Sequence, residues 1–203
     1  AWYWNNCSNT MPRTKQFDEK EVLKNAMELF WEKGFHATSI QDLVSHLGIN
    51  RASLYDTYGG KDELFNTAFE TYRQQAGDFL KSVFEKESSV KEGFRSLFYQ
   101  AVDEGIQDCS RKGCFVVNTT TEMVPGDEAL QKVIESHVKK ISQVFADQIQ
   151  KGIDAGELSP SKNPEEIGMM LLTFYNGLRV IGKVSTDADS LKNMVETSLS
   201  VLD

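Results

Sequence analysis

The sequence predicts an all-α protein of about nine helices, and three observations support this fold class. Apolar residues recur at three- and four-residue spacings through almost every long segment, which is the period of a helix rather than of a strand. The breaks between these segments fall at Gly, Pro, Asn and Ser clusters. With 40% hydrophobic and 26% charged residues, the 203-residue chain has the composition of an ordinary globular protein.

The first helix is predicted over residues 18–33. Asp18 suits its positively polarised start, Gly34 suits its end, and one apolar stripe runs between them. A second helix follows at once, because residues 38–41 (TSIQ) fit the capping-box pattern S/T-x-x-E/Q with Thr38 at the N-cap.

The third helix is predicted over residues 51–58, with Asn50 as its N-cap. It is separated from the second helix by a turn that contains Gly48, so the two form a helix-turn-helix, with Leu54 expected in its core. Six more helices are predicted. The first begins at residue 61 and ends within residues 84–87, and the others span residues 90–109, 113–122, 127–155, 164–183 and 189–201.

These elements predict an extension over residues 1–10 that lies outside the fold, a helix-turn-helix domain over 11–62 and an all-helical domain over 63–203. The first ten residues lack the pattern of a secretory signal. No apolar run approaches the roughly 20 residues that span a bilayer, and the three cysteines form no CxxC pair. We therefore expect a cytoplasmic protein that is not integral to a membrane.

Charge is divided unevenly along the chain. Residues 11–61 carry seven Lys or Arg and seven Asp or Glu, whereas residues 62–203 carry fifteen and twenty-three. Non-specific attraction to phosphates depends on the local density of cations, which is low here. Any nucleic-acid binding is therefore predicted to be local and geometrically specific.

In a DNA-binding helix-turn-helix the second helix enters the major groove, and the preceding helix and turn contact phosphates. Arg51 is suited to guanine or phosphate, Asp56 to cytosine, and the methyl groups of Ala52 and Thr57 to thymine, with the base that each reads left open. The candidate contact residues are Arg13, Lys15, Thr38, Ser39, Arg51, Ala52, Ser53, Tyr55, Asp56, Thr57, Tyr58 and Lys61. The alternative for each is a structural role, as a cap, a core aromatic or a solvated charge.

Residues 17–65 resemble the TetR family of transcriptional repressors, chiefly through residues 34–40 (GFHATSI), 48–55 (GINRASLY) and 61–65 (KDELF). The resemblance implies an N-terminal DNA-binding domain and a divergent helical domain that dimerises through its last two helices and binds an inducing ligand. It implies DNA contact by Thr38, Asn50, Arg51, Ala52, Ser53, Tyr55, Asp56, Thr57 and Lys61.

Three features depart from the family pattern. Tyr58 stands where Phe is usual, and Gly59-Gly60 replaces a polar pair, which predicts a looser turn. Asp56 is an acid where neutral or basic residues are frequent. Because its carboxylate is repelled by phosphates, we expect Asp56 to read a base or act as a spacer.

The segment that follows residue 167 carries more apolar surface than one core-facing stripe can bury. This favours a four-helix interface between two copies of the chain, and the alternative is a wholly intramolecular core. The predicted interface residues are Met170, Leu171, Phe174, Leu178, Ile181, Leu191, Met194, Val195 and Leu199. Such a homodimer would present two recognition helices about 34–36 Å apart, or a multiple of that, to an inverted repeat.

An apolar effector pocket is predicted in the second domain from its large side chains and a few polar anchors. Its candidate residues are Phe98, Cys114, Phe115, Asn118, Phe145, Phe174 and Tyr175. For most of them the alternative is core packing. Cys109 and Cys114 flank two cations, so an oxidant or electrophile sensor is a further alternative, set against two buried structural cysteines.

No nucleophile–base pair, metal cluster or phosphate loop has supporting spacing, so we expect no enzyme, cofactor or metal. His137, close to Lys139 and Lys140, is expected on a solvated helix face. The predicted function is a regulator that binds double-stranded DNA, most simply a repressor released from an inverted-repeat operator by a small-molecule effector. The alternative is a helical ligand-binding or protein-interaction module that does not read DNA.

Overall fold

The computed structural model describes residues 17–185 and 187–203, which form nine α-helices and no strand. The helices are α1 (Glu19–Lys33), α2 (Ile40–Leu47), α3 (Arg51–Tyr58), α4 (Lys61–Lys86), α5 (Val90–Gln107), α6 (Phe115–Met123), α7 (Glu128–Asp154), α8 (Pro164–Ile181) and α9 (Ala188–Leu199). Short 3-10 turns follow α6 and α9. The all-α prediction is confirmed, and each predicted helix is present. The predicted extension over residues 1–10 lies outside the described residues, as do Arg13 and Lys15.

The predicted start of α2 is wrong by one residue. Ser39, not Thr38, is the N-cap, because the Ser39 hydroxyl accepts from the Asp42 backbone N–H at 3.1 Å. The Asp42 carboxylate in turn accepts from the Ser39 backbone N–H at 2.9 Å. The Ser39 hydroxyl also donates to the Asp42 carboxylate at 2.6 Å, and this bond, the bond from the Ser39 backbone N–H and the ammonium of Lys33 at 2.9 Å hold the pKa of Asp42 well below its usual range. The capping box is therefore present, but Asp42 completes it.

One apolar core holds the helix-turn-helix together. Leu54 of α3 is fully buried there, as predicted, against α1 and α2. Phe65 from the first half of α4 and Phe115 from α6 lie in the same core, which also includes Leu130 near the start of α7. We call α1–α3 with the first half of α4 the head, and the remaining helices the body. The unbroken helix α4 runs across the predicted domain boundary at residues 62 and 63.

A second apolar core joins the last half of α4 to α5, α7, α8 and α9. Arg95 of α5 and Glu196 of α9 form two hydrogen bonds, at 2.8 and 3.0 Å, and the Tyr99 hydroxyl donates to the same carboxylate at 2.8 Å. The helices α7 and α8 approach each other closely at Gly168. A Cβ atom there would lie 2.8 Å from the backbone nitrogen of Ala146 and 3.1 Å from the carbonyl oxygen of Ser142.

We predict that Gly168→Ala destabilises the body by about 1–3 kcal/mol, because the added methyl group forces two rigid helix backbones apart. Gly77→Ala is the matched control: Gly77 also lies inside a helix, but its Cβ would have no heavy atom within 4 Å. It should stabilise the protein by about 0.5–1 kcal/mol through helix propensity. Urea unfolding measures both changes, and equal effects of the two substitutions would contradict the close approach.

Candidate functional site

The outer face of α3 is open to solvent while its inner face is anchored in the core. Arg51, Ala52 and Asp56 are exposed, and Tyr55 has 43% of its surface accessible although the preceding residue, Leu54, has none. The guanidinium carbon of Arg51 lies 5.7 Å from the centre of the Tyr55 ring, so the two side chains form a cation–π pair on this face. The helix therefore presents a cationic and aromatic surface of the kind that enters a major groove.

Other candidate residues of the head combine some exposure with structural hydrogen bonds. The Asn50 side chain accepts from the Ser53 backbone N–H at 2.8 Å and so caps α3. The Tyr58 hydroxyl donates to the carbonyl oxygen of Glu19 at 3.1 Å, which ties the end of α3 to the start of α1. The ammonium of Lys61 lies 4.2 Å from the ring centre of Phe35. Ser53 and Thr57 are partly exposed, and the hydroxyl of the exposed Ser39 serves the cap of α2.

The structure removes Thr38 from the predicted DNA contacts. Its side chain is fully buried, and its hydroxyl donates to the carbonyl oxygen of Gly34 at 2.6 Å. Thr38 therefore closes the turn between α1 and α2 from within. The turn after α3 depends on glycine, because Gly59 has φ 86° and Gly60 has φ 152°. A looser turn at these glycines stays a prediction.

The helix α6 is fastened to the head at both of its ends. At its start, Phe115 is buried among the rings of Phe65, Phe69 and Tyr72. At its end, the Glu122 carboxylate accepts from the backbone N–H groups of Phe35, at 3.1 Å, and His36, at 2.7 Å. Because those two groups belong to the turn that leads into α2, α6 directly holds the base of the helix-turn-helix.

A cavity of about 380 Å³ lies between head and body, and we call it the central cavity. Its wall is built by α1, α4, α5, α6, α7 and α8 together with Cys114. The apolar part of the wall includes Met27, Trp31, Ala76, Phe79, Leu80, Val116, Val138, Ile141 and Leu172. Its volume falls in the range of small-molecule sites, which are concave and mostly apolar.

Only two of the predicted ligand-binding residues, Cys114 and Tyr175, line the central cavity. Three others are instead packed inside the two cores, with at most 2% of their surface exposed: Phe98, Phe115 and Phe145. Asn118 does not line it either, and its amide donates to the carbonyl oxygen of Lys112 at 2.8 Å. Phe174 borders a surface groove beside α9. None of these five residues lines the central cavity, and for Phe98, Phe115 and Phe145 the reason is that aromatic residues at helical spacing serve the cores.

The polar residues of the cavity were missed by the sequence reasoning. Arg179, Tyr72 and Trp31 line it from α8, α4 and α1, and each comes from a different part of the chain. His137 also lines it and is only partly exposed, so the expected solvated face is wrong. A sequence signal did exist for Arg179, since it is a single charge in the otherwise apolar end of α8.

The predicted dimer surface divides into two sets. Five of its residues lie in the body's own core, with at most 3% of their surface exposed: Leu171, Leu178, Leu191, Val195 and Leu199. Their assignment to the dimer interface is wrong, because side chains buried this fully within one chain cannot also contact a second copy. Met170, Ile181 and Met194 are 42–44% exposed, and Phe174 is partly exposed. Met169, Val180 and Val184, which the prediction omitted, are large apolar residues that are also exposed.

An all-helical protein that presents a short exposed helix on a helix-turn-helix is, by class, a DNA-binding regulator. Residues 22–68 match the family described as bacterial regulatory proteins, tetR family, and residues 95–197 match the tetracyclin repressor-like C-terminal domain. The chain is 39% identical over 199 residues to the HTH-type transcriptional regulator YezE of Bacillus subtilis, covering 95% of this chain and 100% of YezE.

Two further similarities agree with this match. The HTH-type transcriptional repressor ComR of Escherichia coli is 24% identical over 92% of this chain and 90% of its own. A cysteine mutant of the TetR family regulator CifR, solved in complex with a 26-bp double-strand operator DNA, has a TM-score of 0.85 at 27% identity, covering 95% of this chain and 100% of that one. The chain belongs to the TetR family of bacterial regulatory proteins, and it is a DNA-binding transcriptional regulator.

Over residues 17–185 and 187–203, no three His, Cys, Asp or Glu side chains come together as a metal site would require. In the same part of the chain, no helix combines the length and apolar character of a membrane span.

We predict that Glu122→Ala loosens the turn between α1 and α2. Removing the carboxylate leaves the backbone N–H groups of Phe35 and His36 without their acceptor, which costs about 1–3 kcal/mol locally. Hydrogen exchange at these two amides should accelerate by about tenfold or more, since a factor of ten corresponds to about 1.4 kcal/mol. Glu135→Ala is the control, because that exposed carboxylate bonds only within α7. Unchanged exchange in Glu122→Ala would contradict the proposed fastening.

His137 is predicted to make the fold sensitive to acid. Burial, and then the cations of Arg73 and Lys140, lower the pKa of His137 from 6.5 to about 4. The unfolded chain therefore binds a proton more readily, so stability is full above pH 6.5 and falls as the pH drops towards 4. Over this pH range the His137→Gln variant should lose about 1–2 kcal/mol less free energy of unfolding than the parent protein. This figure allows for the partial exposure of the side chain to water.

Urea unfolding at pH 7 and at pH 4.5 measures this difference. His46→Gln is the control, because it replaces a histidine that is exposed on α2. Equal pH dependence in His137→Gln and the parent protein would show that His137 is not held in its neutral form.

Proposed function

We propose that this regulator is a homodimeric, ligand-responsive repressor that binds an inverted-repeat operator and is released by a small molecule in the central cavity. The observation that carries this proposal is the wall of the cavity, which includes α1 of the head as well as α7 and α8 of the body. A bound molecule would therefore touch the DNA-binding unit directly. The operator complex of CifR and the repressor name of ComR support the same direction.

The proposed DNA contacts separate into two groups. Six residues of α3 would face base edges: Arg51, Ala52, Ser53, Tyr55, Asp56 and Thr57. The flanking residues Ser39, Asn50, Tyr58 and Lys61 would lie along the phosphates, together with Arg13 and Lys15 on the N-terminal side. Because most flanking side chains already make structural contacts, we expect them to position α3, while the exposed face of α3 carries specificity.

The proposed dimer interface uses the exposed apolar residues of α8 and α9. Met170 and Ile181 on α8 and Met194 on α9 are exposed although they are large and apolar. Large apolar residues exposed on neighbouring helices favour a self-complementary two-fold contact. A two-fold axis would set the two α3 helices for successive major grooves, about 34–36 Å apart or a multiple of it.

The proposed coupling between ligand and DNA runs through α1 and α6 as well as α4. Trp31 of α1 and Val116 of α6 both line the cavity, and α6 also holds the turn before α2 through Glu122. A change in the shape of the cavity would thus move α6, and α6 would in turn shift the turn of the helix-turn-helix that Glu122 holds. Leu64 and Phe65 of α4 are buried in the head core, so truncating them would damage the head itself rather than test the coupling.

A thiol-based response is the second candidate, and it depends on Cys114. This residue lines the central cavity, whereas Cys109 is exposed and is not among the lining residues. The two cysteines therefore lie in different surroundings. We propose non-covalent effector binding as the primary mode, since most of the wall is apolar side chain rather than reactive groups.

The repressor proposal is tested with operators selected from a random double-stranded DNA library by the purified protein. We predict that the selected sites are inverted repeats and that Tyr55→Ala and Arg51→Ala each weaken binding by about 1–3 kcal/mol. If Arg51 contacts a phosphate, its replacement should also reduce the slope of log affinity against log salt concentration by about one. Lys139→Ala removes an exposed cation of the body and serves as the control.

Gel-shift titration at two salt concentrations measures these effects. Selection of sites without two-fold symmetry would overturn the dimeric arrangement. Equal affinity of the Tyr55→Ala, Arg51→Ala and Lys139→Ala variants would overturn the assignment of α3.

A further inference from the structure

One end of the central cavity carries a buried cation that is only weakly neutralised. The Arg179 side chain is 15% exposed, and its ion-pair partner among the described residues is Glu104, at 3.9 Å. One guanidinium nitrogen donates to the Tyr175 hydroxyl at 2.8 Å, and the other makes a long contact of 3.4 Å with the carbonyl oxygen of Gly113. A guanidinium has several N–H donors and is always charged, so capacity for a strong acceptor remains.

Three aromatic side chains that line the cavity with Arg179, those of Tyr72, Tyr175 and Trp31, each carry a hydrogen-bond donor. Burial raises the pKa of both Tyr72 and Tyr175, so both phenols are neutral near pH 7. The Tyr72 hydroxyl lies 3.9 Å from the Cys114 sulfur, which is a weak acceptor. The indole Nε1 of Trp31 is buried and meets no acceptor among the described residues. The Trp31 indole and the Arg179 guanidinium therefore keep donor capacity that no strong acceptor among the described residues fills, and the Tyr72 hydroxyl has only a weak sulfur acceptor.

The carboxylates of the wall do not supply the missing acceptor. Glu28 is already paired with the ammonium of Lys112 at 2.6 Å. The Glu104 side chain is half exposed and only reaches the outer limit of contact with Arg179. A buried donor or charge without a partner costs free energy, so an acceptor brought by a ligand would gain most at this point.

The rest of the wall determines the body of such a ligand. Phe79, Leu80, Val138, Ile141 and Leu172 give it an apolar surface, and the rings of Trp31, Tyr72 and Tyr175 add flat aromatic faces. His137 is neutral near pH 7 for the reason given above and adds no charge. An apolar, ring-containing molecule would fit this surface by burial alone.

We propose that the effector is an amphipathic aromatic acid whose rings lie on the apolar wall and whose single anionic group is bound by Arg179. The anionic group accepts charge-assisted hydrogen bonds from the guanidinium, which are shorter and stronger than bonds between neutral groups. Glu104 competes with it for the same cation. This inference rests on the proposed function of the central cavity as the effector site, and it adds the chemical class of the effector.

Two fluorescent probes with the same rings test the inference: 8-anilinonaphthalene-1-sulfonate, which is anionic, and N-phenyl-1-naphthylamine, which is neutral. Arg179→Met keeps the length and apolar stem of the side chain but removes the charge. It should weaken binding of the anionic probe by about tenfold or more and leave binding of the neutral probe within about twofold. Fluorescence titration of the full-length protein gives both affinities.

Glu104→Gln is the second variant, and it protects the test against misfolding of Arg179→Met because Glu104 is half exposed. Removing the competing carboxylate should tighten binding of the anionic probe and leave that of the neutral probe unchanged. Ala76→Phe, which places a ring in the cavity wall, should weaken both probes and so identifies the part of the signal that comes from the cavity. Circular dichroism and operator binding establish that each variant is folded.

The outcomes separate this inference from the proposed function. If Ala76→Phe weakens both probes but Arg179→Met and Glu104→Gln affect them equally, the cavity binds ligands and the acid class is overturned. If Ala76→Phe changes neither probe, the cavity binds neither of them and the effector role of the site fails. Selective loss in Arg179→Met with selective gain in Glu104→Gln supports an acidic effector.

Discussion

The attachment of α6 to the head is the contact on which the remaining arrangement depends. Phe115 is buried in the head core, and seven residues later Glu122 accepts two backbone N–H groups from the turn before α2. One short helix therefore holds the head, through the buried ring of Phe115 and through the charge-assisted hydrogen bonds to Glu122. Because Cys114 and Val116, on either side of Phe115, line the central cavity, the attachment and the cavity wall are built from the same stretch of chain.

Charge explains why DNA contact is confined to so small a surface. Residues 62–203 carry the whole net charge of −8, so phosphates are repelled from them, while residues 11–61 are neutral. Attraction must come from a few placed side chains rather than from a broad cationic field. We propose that the Arg51–Tyr55 pair on the exposed face of α3 is such a placement, and the nearby Asp56 would then restrict the orientations in which that face can approach DNA.

Local signals in the sequence were sufficient for the helices but not for their partners. Periodicity and caps predicted each of the nine helices, and the burial of Leu54 followed from the same pattern. The pattern does not tell which neighbour covers an apolar residue, so Leu171 was assigned to a dimer interface although α7 and the rest of the body cover it. The cavity was harder still, because Trp31 of α1 and Arg179 of α8 are far apart in the sequence and come to line one cavity only in the folded chain.

That junction also gives the proposed effector a way to act on DNA binding. A ligand shifts an equilibrium only by its difference in affinity for the two states. Trp31 belongs to α1 of the head and Arg179 to α8 of the body, so an acid that accepts hydrogen bonds from both senses the distance between these helices. Head positions that keep both donors within reach would be favoured over those that separate them. Couplings between sites are typically about 1–3 kcal/mol, which is the scale of one or two charge-assisted hydrogen bonds gained or lost.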